Sequence, residues 1–273
     1  MEAILVPVDF SPTSLNATDY AINFAKQVGG KIILLNAFEA PLVYPLYEGV
    51  EISHEGLKQI NKKELIQLAE QLSNQEPLIK IEYLLKDGSL TYAIEETLKT
   101  IDVSLIIMGI TGAGKIKETI IGSNTLLVAK HSTIPVLIIP EDCVYSKVNE
   151  IGITTDFRDV VNTIPDKLVK HILQMTGAKL HVLNVDFDNR QWTDDTPFQS
   201  GLIETMFENY IPKYHFIDHE DMVSGLNEYV DKFGIKLLIA FPQKHNLLEK
   251  IFSSSHTKEL AFHSKIPVMI IHF

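Results

Sequence analysis

The segment Met108-Gly109-Ile110-Thr111-Gly112-Ala113-Gly114-Lys115, running on to Ile121-Gly122-Ser123-Asn124-Thr125, carries residue types suited to holding phosphate. Gly109 and Gly112 have no Cβ, so the backbone there can turn and approach a ligand closely. Gly122-Ser123-Asn124 begins a helix, whose first amides have no intrahelical partners and whose dipole end is positive. Ser123 and Asn124 add a hydroxyl and an amide. These parts predict a phosphate cradle, although the same glycines would also serve a tight strand-to-helix connection with no ligand. Gly109-x4-Gly114-Lys115 satisfies most of a P-loop, but Ile116 stands where that motif needs a magnesium-binding hydroxyl. The helix also starts at Gly122 rather than directly after Lys115, so the P-loop mechanism lacks its parts.

Other reactive residues are weighed against plainer roles. Asp9 lies two residues before Ser11 and Pro12, where a carboxylate suits a helix N-terminus. His215-x3-His219-Glu220-Asp221 has metal-ligand residue types, but a strand followed by a turn does not give helical i, i+4 geometry, so surface histidines beside a helix N-terminus are expected. Cys143 follows Glu141 and Asp142, which disfavour a thiolate, and reads as inert. Trp192 sits in an acidic loop, either packed locally or marking a partner surface. No serine elbow, spaced carboxylate pair or second acidic motif for magnesium accompanies the glycine loop.

The elements that must position these residues alternate along the chain. Ile4-Leu5-Val6 is a short apolar strand, followed by a helix capped by Ser11, with Pro12 in its first turn and Gly29-Gly30 at its end. Strand Ile32–Leu35 follows, then a looser stretch from Phe38 to His54 and a polar, solvated helix from Glu55 to Leu72. Strand Ile81–Leu85, helix Thr91–Lys99, strand Leu105–Met108, a helix near Ser123–Lys130 and strand Val136–Ile139 complete the first half. Near-continuous apolar strands separated by helices predict a parallel sheet covered on both faces. The second half repeats the first. Ile4-Leu5-Val6-Pro7-Val8-Asp9-Phe10 is echoed by Ile151-Gly152-Ile153-Thr154-Thr155-Asp156-Phe157, and Leu34-Leu35-Asn36-Ala37 by Val182-Leu183-Asn184-Val185. Ile134-Pro135-Val136-Leu137-Ile138-Ile139 returns as Ile266-Pro267-Val268-Met269-Ile270-Ile271. The fold class expected is α/β, with two tandem doubly wound five-stranded parallel-sheet domains over residues 1–143 and 146–273.

Composition narrows the class further. The chain of 273 residues has 24 Lys and Arg against 35 Asp and Glu, a formal charge of -11, and 45% hydrophobic residues. That supplies two cores, and the acidic balance argues against nucleic acid as a partner, since phosphate neutralisation needs clustered cations. One cysteine excludes an internal disulfide. The opening Met1-Glu2-Ala3-Ile4-Leu5-Val6-Pro7 reads as a buried strand rather than a signal peptide, and no apolar run reaches the roughly 20 residues of a membrane span. A cytoplasmic location without membrane association is expected.

Gly109-x2-Gly112-x9-Gly122-Ser123 resembles the nucleotide-binding signature of universal stress proteins of the UspA type. The likeness extends to Val6-Pro7-Val8-Asp9-Phe10-Ser11 and to the closing Ile134–Ile139 strand, covering the first half fully and the second in weakened form. The resemblance implies a Rossmann-like fold related to the adenine nucleotide α-hydrolases, whose domains pair through their last strands, here within one chain. It implies an ATP-binding stress-response regulatory protein that acts as a nucleotide-dependent switch. ATP, with or without Mg2+, is the ligand implied, with ADP or AMP as alternatives. Asp9 would lie beside the nucleoside, supported by Pro7 and Val8, and Ala37 would edge the adenine. Met108, Gly109, Thr111 and Gly112 would line the ribose and phosphates, while Gly122, Ser123, Asn124 and Thr125 close on the polyphosphate. Thr111 and Asn124 depart from the family's usual residues without removing the backbone donors. No catalysis is expected beyond slow ATP hydrolysis or self-phosphorylation. A nucleotide-free tandem scaffold, with an unknown protein partner and a further homodimer, is the alternative. A related α-hydrolase-type enzyme is disfavoured because Asp9-Phe10-Ser11-Pro12 replaces its phosphate loop.

Aligning the closing strands sets Phe241, Lys244 and Ser254 opposite Gly109, Gly112 and Gly122, with Ser255 opposite Ser123 and Asp156 opposite Asp9. Side chains then stand where close backbone approach was needed, so one nucleotide per chain is expected. Lys244, His245 and Ser253-Ser254-Ser255 would suit at most a smaller anion.

Overall fold

The computed structural model describes residues 2–39, 46–47, 50–51, 53–110, 123–189, 192–241 and 264–272. The first half runs β1 (Ala3–Pro7), α1 (Pro12–Val28), β2 (Lys31–Phe38), β3 (Leu46–Tyr47), β4 (Val50–Glu51), α2 (His54–Gln75), β5 (Ile81–Asp87), α3 (Leu90–Leu98), β6 (Leu105–Ile110), α4 (Ser123–His131) and β7 (Val136–Pro140). The second runs β8 (Glu150–Thr154), α5 (Val160–Thr163), α6 (Asp166–Thr176), β9 (Lys179–Val185), α7 (Thr196–Met206), β10 (Lys213–Ile217), α8 (Met222–Phe233), β11 (Leu237–Ala240) and β12 (Val268–Ile270).

Local chemistry sets these boundaries. Ser11 Oγ accepts from the Ser14 amide at 3.2 Å and starts α1, Pro12 occupies its first turn, and Gly29 ends it at φ +79°. Its apolar stripe of Ala17, Tyr20, Ala21, Phe24 and Ala25 is buried on the sheet, and Phe24 alone contributes roughly 2 kcal/mol.

Ten strands form one sheet in the order β10-β9-β8-β11-β12-β7-β6-β1-β2-β5. Within each half every pairing of this sheet is parallel, and β3 and β4 form a separate antiparallel pair. The halves meet where β12 runs antiparallel to β7, with Val268 opposite Ile138 and Ile270 opposite Val136. The expected doubly wound sheets joined through their last strands are therefore present, and each half's apolar edge is covered by the other's. One core, with α1, α2, α6 and α7, lies on one face; a second, with α3, α4 and α8, lies on the other. Each core includes residues of both halves.

The seam is held by specific bonds as well as by the strand pair. Gln27 of α1 donates from Nε2 to the carbonyls of Val148 (2.8 Å) and Thr176 (2.9 Å). Its Oε1 accepts from Tyr145 Oη (2.5 Å) and the Val148 amide (2.9 Å). His272 Nε2 lies 2.6 Å from the Ala129 carbonyl across the seam, while within the first half Asn16 donates to the carbonyls of Pro140 and Cys143.

The repeat is legible atom by atom. Val8 N donates to Leu35 O and Thr155 N to Leu183 O; Asn36 Nδ2 donates to Val8 O (2.7 Å) and Asn184 Nδ2 to Thr155 O (2.9 Å). Phe10 and Phe157 both turn the chain after the first strand of their half, at φ +63° and +56°. A non-glycine residue there costs on the order of 1 kcal/mol. The halves differ where Pro165, which has no N–H, interrupts the counterpart of α1 and leaves α5 and α6 in place of one helix.

Candidate functional site

In the first half β2 lies on one side of β1 and β6 on the other, so the strand order reverses between β1 and β6. Open α/β sheets bind ligands in the crevice outside the carboxyl ends of strands at such a point. Pro7 and Val8 are buried at the end of β1, Ala37 is half-buried near the end of β2, and Met108 (buried) and Gly109 (half-buried) lie on β6. Across the crevice Ser123 begins α4, Asn124 is exposed and Thr125 is buried. Thr125 Oγ1 donates to the Gly109 carbonyl at 2.8 Å, tying the first turn of α4 to the end of β6. The structure thus gathers Pro7, Val8, Asp9, Met108, Gly109, Asn124 and Thr125 around two adjacent strand ends and one helix start. Thr111, Gly112 and Gly122 lie outside the described residues.

Two of these residues have roles within the fold. A Cβ added to Gly109 would overlap the Thr13 carbonyl oxygen and lie 2.7 Å from Thr13 Cγ2. The close approach there is made by the first turn of α1. Asp9 is exposed, and its Oδ1 accepts from the Ser11 amide (3.0 Å) and Ser11 Oγ (2.6 Å), orienting the residue that caps α1. Partial burial would raise the Asp9 carboxyl, but the hydrogen bonds from Ser11 and Ser14 and the nearby backbone donors outweigh it and hold the group below its ordinary value. The helix-partner reading of Asp9 is therefore realised, and it leaves the carboxylate ionised beside the crevice.

Asn36 and Asn184 hold matching places in the repeat, but no motif in the sequence marks their task. Each bridges the end of its half's second strand to the residue after the first. The side-chain oxygen Oδ1 of Asn36 is buried with no hydrogen-bond partner among the described residues, an unpaired acceptor beside Val8. For a nucleotide, this leaves a crevice with an unpaired acceptor next to β1, an ionised carboxylate at Asp9, and the start of α4 on the phosphate side. The described residues fit that class of ligand.

The second half is built differently at the matching place. Ala240 stands opposite Ile270 as Met108 stands opposite Ile138, and the next residue, Phe241, is buried, so a ring fills the position where the first half has no side chain. Asp156, 7% exposed, accepts from the Arg158 amide at 3.1 Å, and burial pushes its carboxyl up, unlike Asp9. Lys244, His245, Ser253, Ser254 and Ser255 lie outside the described residues.

The histidine and cysteine readings need correction. His215 is not a surface histidine beside a helix N-terminus: it lies in β10, half-buried against Phe233 and hydrogen-bonded to His181. His219 is the one beside α8, its Nδ1 accepting from the Asp221 amide. Burial, rather than Glu141 and Asp142, pushes the Cys143 thiol up. Trp192 packs locally on Phe216 with ring centroids 5.7 Å apart, while 48% exposed. No group of three or more His, Cys, Asp or Glu suited to a metal ion occurs among the described residues, and none of their helices is long and apolar enough to cross a membrane.

A family model described as the universal stress protein family matches residues 1–140. Universal stress protein YxiE of Bacillus subtilis is 29% identical over 143 residues, covering 50% of this chain and 97% of that protein. The crystal structure of a universal stress protein from Archaeoglobus fulgidus aligns over 99% of this chain and 98% of that one, with a TM-score of 0.73 and 19% identity. A putative universal stress protein from Pseudomonas aeruginosa aligns over 100% and 93%, with a TM-score of 0.60 and 13% identity. The last two likenesses run the length of the chain and show that its whole fold has solved counterparts.

Proposed function

This chain belongs to the universal stress protein family, and from that premise we propose that it is a stress-response regulator that binds one adenine nucleotide in its first half. The domains are residues 1–143, which hold the nucleotide, and 146–273, whose site is degenerate. ATP, with or without Mg2+, is the first candidate, with ADP and AMP as alternatives. The observation that carries the reading is the crevice between β1 and β6, closed by the Thr125–Gly109 hydrogen bond that sets the start of α4 over the strand ends. Pro7, Val8, Asp9 and Ala37 would hold the nucleoside side. Met108, Gly109, Thr111 and Gly112 would follow the ribose and phosphates, and Gly122, Ser123, Asn124 and Thr125 the polyphosphate through helix-start amides and polar side chains.

Occupancy acts as a switch only if the bound and free forms differ in affinity for a partner. Specific observations favour a second reading, the nucleotide-free tandem scaffold: Gly109 is required by α1 packing, and Asp9 already orients the α1 cap. The two separate on one experiment. Freshly purified protein is denatured and its supernatant analysed for released nucleotide, followed by ATP and AMP titrations with magnesium. About one equivalent per chain supports the switch; two equivalents refute the single site; no binding up to millimolar nucleotide leaves the scaffold.

A further inference from the structure

Outside the crevice, three titratable side chains form a hydrogen-bonded line in the second half. Glu150 opens β8, His181 lies in β9 and His215 in β10, the outermost strand at that end of the sheet. The register creates the line. His181 stands opposite Gly152, which has no side chain, and opposite Lys213; His215 stands opposite Leu183, so the two histidines are diagonal neighbours on one face. His181, 1% exposed, places Nε2 at 2.7 Å from Glu150 Oε2 and Nδ1 at 2.9 Å from His215 Nε2. The imidazole planes are within 15° of parallel with centroids 5.1 Å apart, and His215 lies against Phe233 of α8 with centroids 4.1 Å apart.

Counting protons along the line shows what it tolerates. With both rings neutral, His181 Nε2–H donates to the Glu150 carboxylate, and His181 Nδ1 accepts from His215 Nε2–H. One added proton, on either ring, still leaves a single hydrogen between the facing nitrogens, and the Glu150 charge offsets it. A second added proton puts N–H on both facing nitrogens 2.9 Å apart and makes neighbouring cations. We propose that Glu150, His181 and His215 form a proton-counting latch, which holds β10 and α8 on the second half with up to one added proton and releases them on the second.

The surroundings resist that second proton from every side. Burial acts first on His215, followed by His181, Lys213 of its own strand and Lys232 of α8, and together they hold its ring below the ordinary 6.5. Lys232 also lies 5.3 Å from the Tyr229 and Phe233 rings that cover the pair. The carboxylate facing the line is Glu150, and it is already shared with Lys179 at 3.3 Å. A ring value lower in the latched form than in the open form means that the open form binds more protons. The latch is therefore at full strength above about pH 6.5 and weakens as pH falls below it.

Hydrogen exchange measured by mass spectrometry from pH 8 to 5, corrected for intrinsic rates, tests this on the whole chain. Protection in β10 and α8 should stay level down to about pH 6.5 and then fall by up to about tenfold per pH unit, as one linked proton requires. β1 and β2 should stay unchanged as the internal reference. His215→Gln keeps a donor for His181 Nδ1 without a titrating ring, and should flatten the profile. Unchanged protection in β10 and α8, or the same fall in His215→Gln, overturns the proposal. If that variant does not fold, the wild-type imidazole titration by NMR decides: the later of the two coupled steps of the His181–His215 pair lying below 6.5 supports the latch, and at or above 6.5 refutes it.

Discussion

Gly109→Ala isolates the contact between the end of β6 and the first turn of α1. The added methyl would overlap the Thr13 carbonyl oxygen and lie 2.7 Å from Thr13 Cγ2 and 2.9 Å from the Thr13 carbonyl carbon. Two of these three atoms are backbone, in a helix start fixed by the Ser11 cap, so relief requires α1 to move away from the sheet. Overpacking of this kind costs about 1–3 kcal/mol. Gly109 is not among the left-handed glycines, so alanine also gains about 0.4–1 kcal/mol through the unfolded chain. The net expectation is a loss of about 1–2 kcal/mol, which for a chain of this size lowers Tm by roughly 2–8 °C. Scanning calorimetry on nucleotide-free protein measures it. Gly152→Ala is the matched control: there the methyl meets Leu183 Cδ1 at 2.9 Å and Leu238 Cδ2 at 3.0 Å, the ends of side chains that can shift. It should cost less than Gly109→Ala. Adding Thr13→Ala to Gly109→Ala removes Cγ2 but leaves both backbone atoms, so most of the loss should remain. A wild-type Tm for Gly109→Ala, or full recovery in the double variant, would refute the backbone argument.

Gln27→Ala should lower stability by about 2 kcal/mol, because it strips four part-buried hydrogen bonds from the seam, and denaturant unfolding measures it. A loss below about 0.5 kcal/mol would mean that water replaces them. Asp9→Ala should cost under about 1 kcal/mol in stability, since the carboxylate is exposed. Its folded value is depressed, so this contribution is present above the ordinary 3.8 and disappears as pH falls below it; stability profiles of the two proteins should converge in acid. On the proposed function the same substitution weakens nucleotide binding at least about tenfold by calorimetry, or about 1.4 kcal/mol. Bulky replacements at Gly112 and Gly122 should abolish binding while circular dichroism still reports a folded protein.

Where sequence signals were local, they were sufficient. Ser11, Pro12 and Gly29 marked the ends of α1 because each satisfies or frees a particular backbone group. The repeated strand motifs exposed the duplication, since β-strand burial constrains every residue of a short run. Signals that depend on register were not legible. His181 and His215 are far apart in sequence and meet only through the β9–β10 pairing, whereas the spacing of His215 and His219 is visible in the chain itself. Gly109 was recognised as a place of close approach, but a ligand and a helix backbone both favour the loss of a Cβ, and only the position of Thr13 shows that α1 makes the contact. Pro165, unremarked as a helix breaker in the sequence, is what divides the counterpart of α1.

The antiparallel join of β7 and β12 has a consequence for how such a chain behaves and diversifies. Two separate copies meeting by these strands would come apart on dilution, and every substitution would appear on both sides of the contact. Here the ends of β7 and β8 are joined by the short segment between Pro140 and Glu150, so the join is intramolecular, and short tethers act like millimolar local concentrations. Its occupancy is set by the tether and does not follow expression level. Each side can also change by itself, as Phe241 and the Glu150–His181–His215 line have done without a twin across the seam. Because the parallel strands of the two halves run in opposite directions, their carboxyl ends open at opposite rims of one continuous sheet. An event at one rim and an event at the other are then addressed to different neighbours, through one continuous sheet that never has to find its other half.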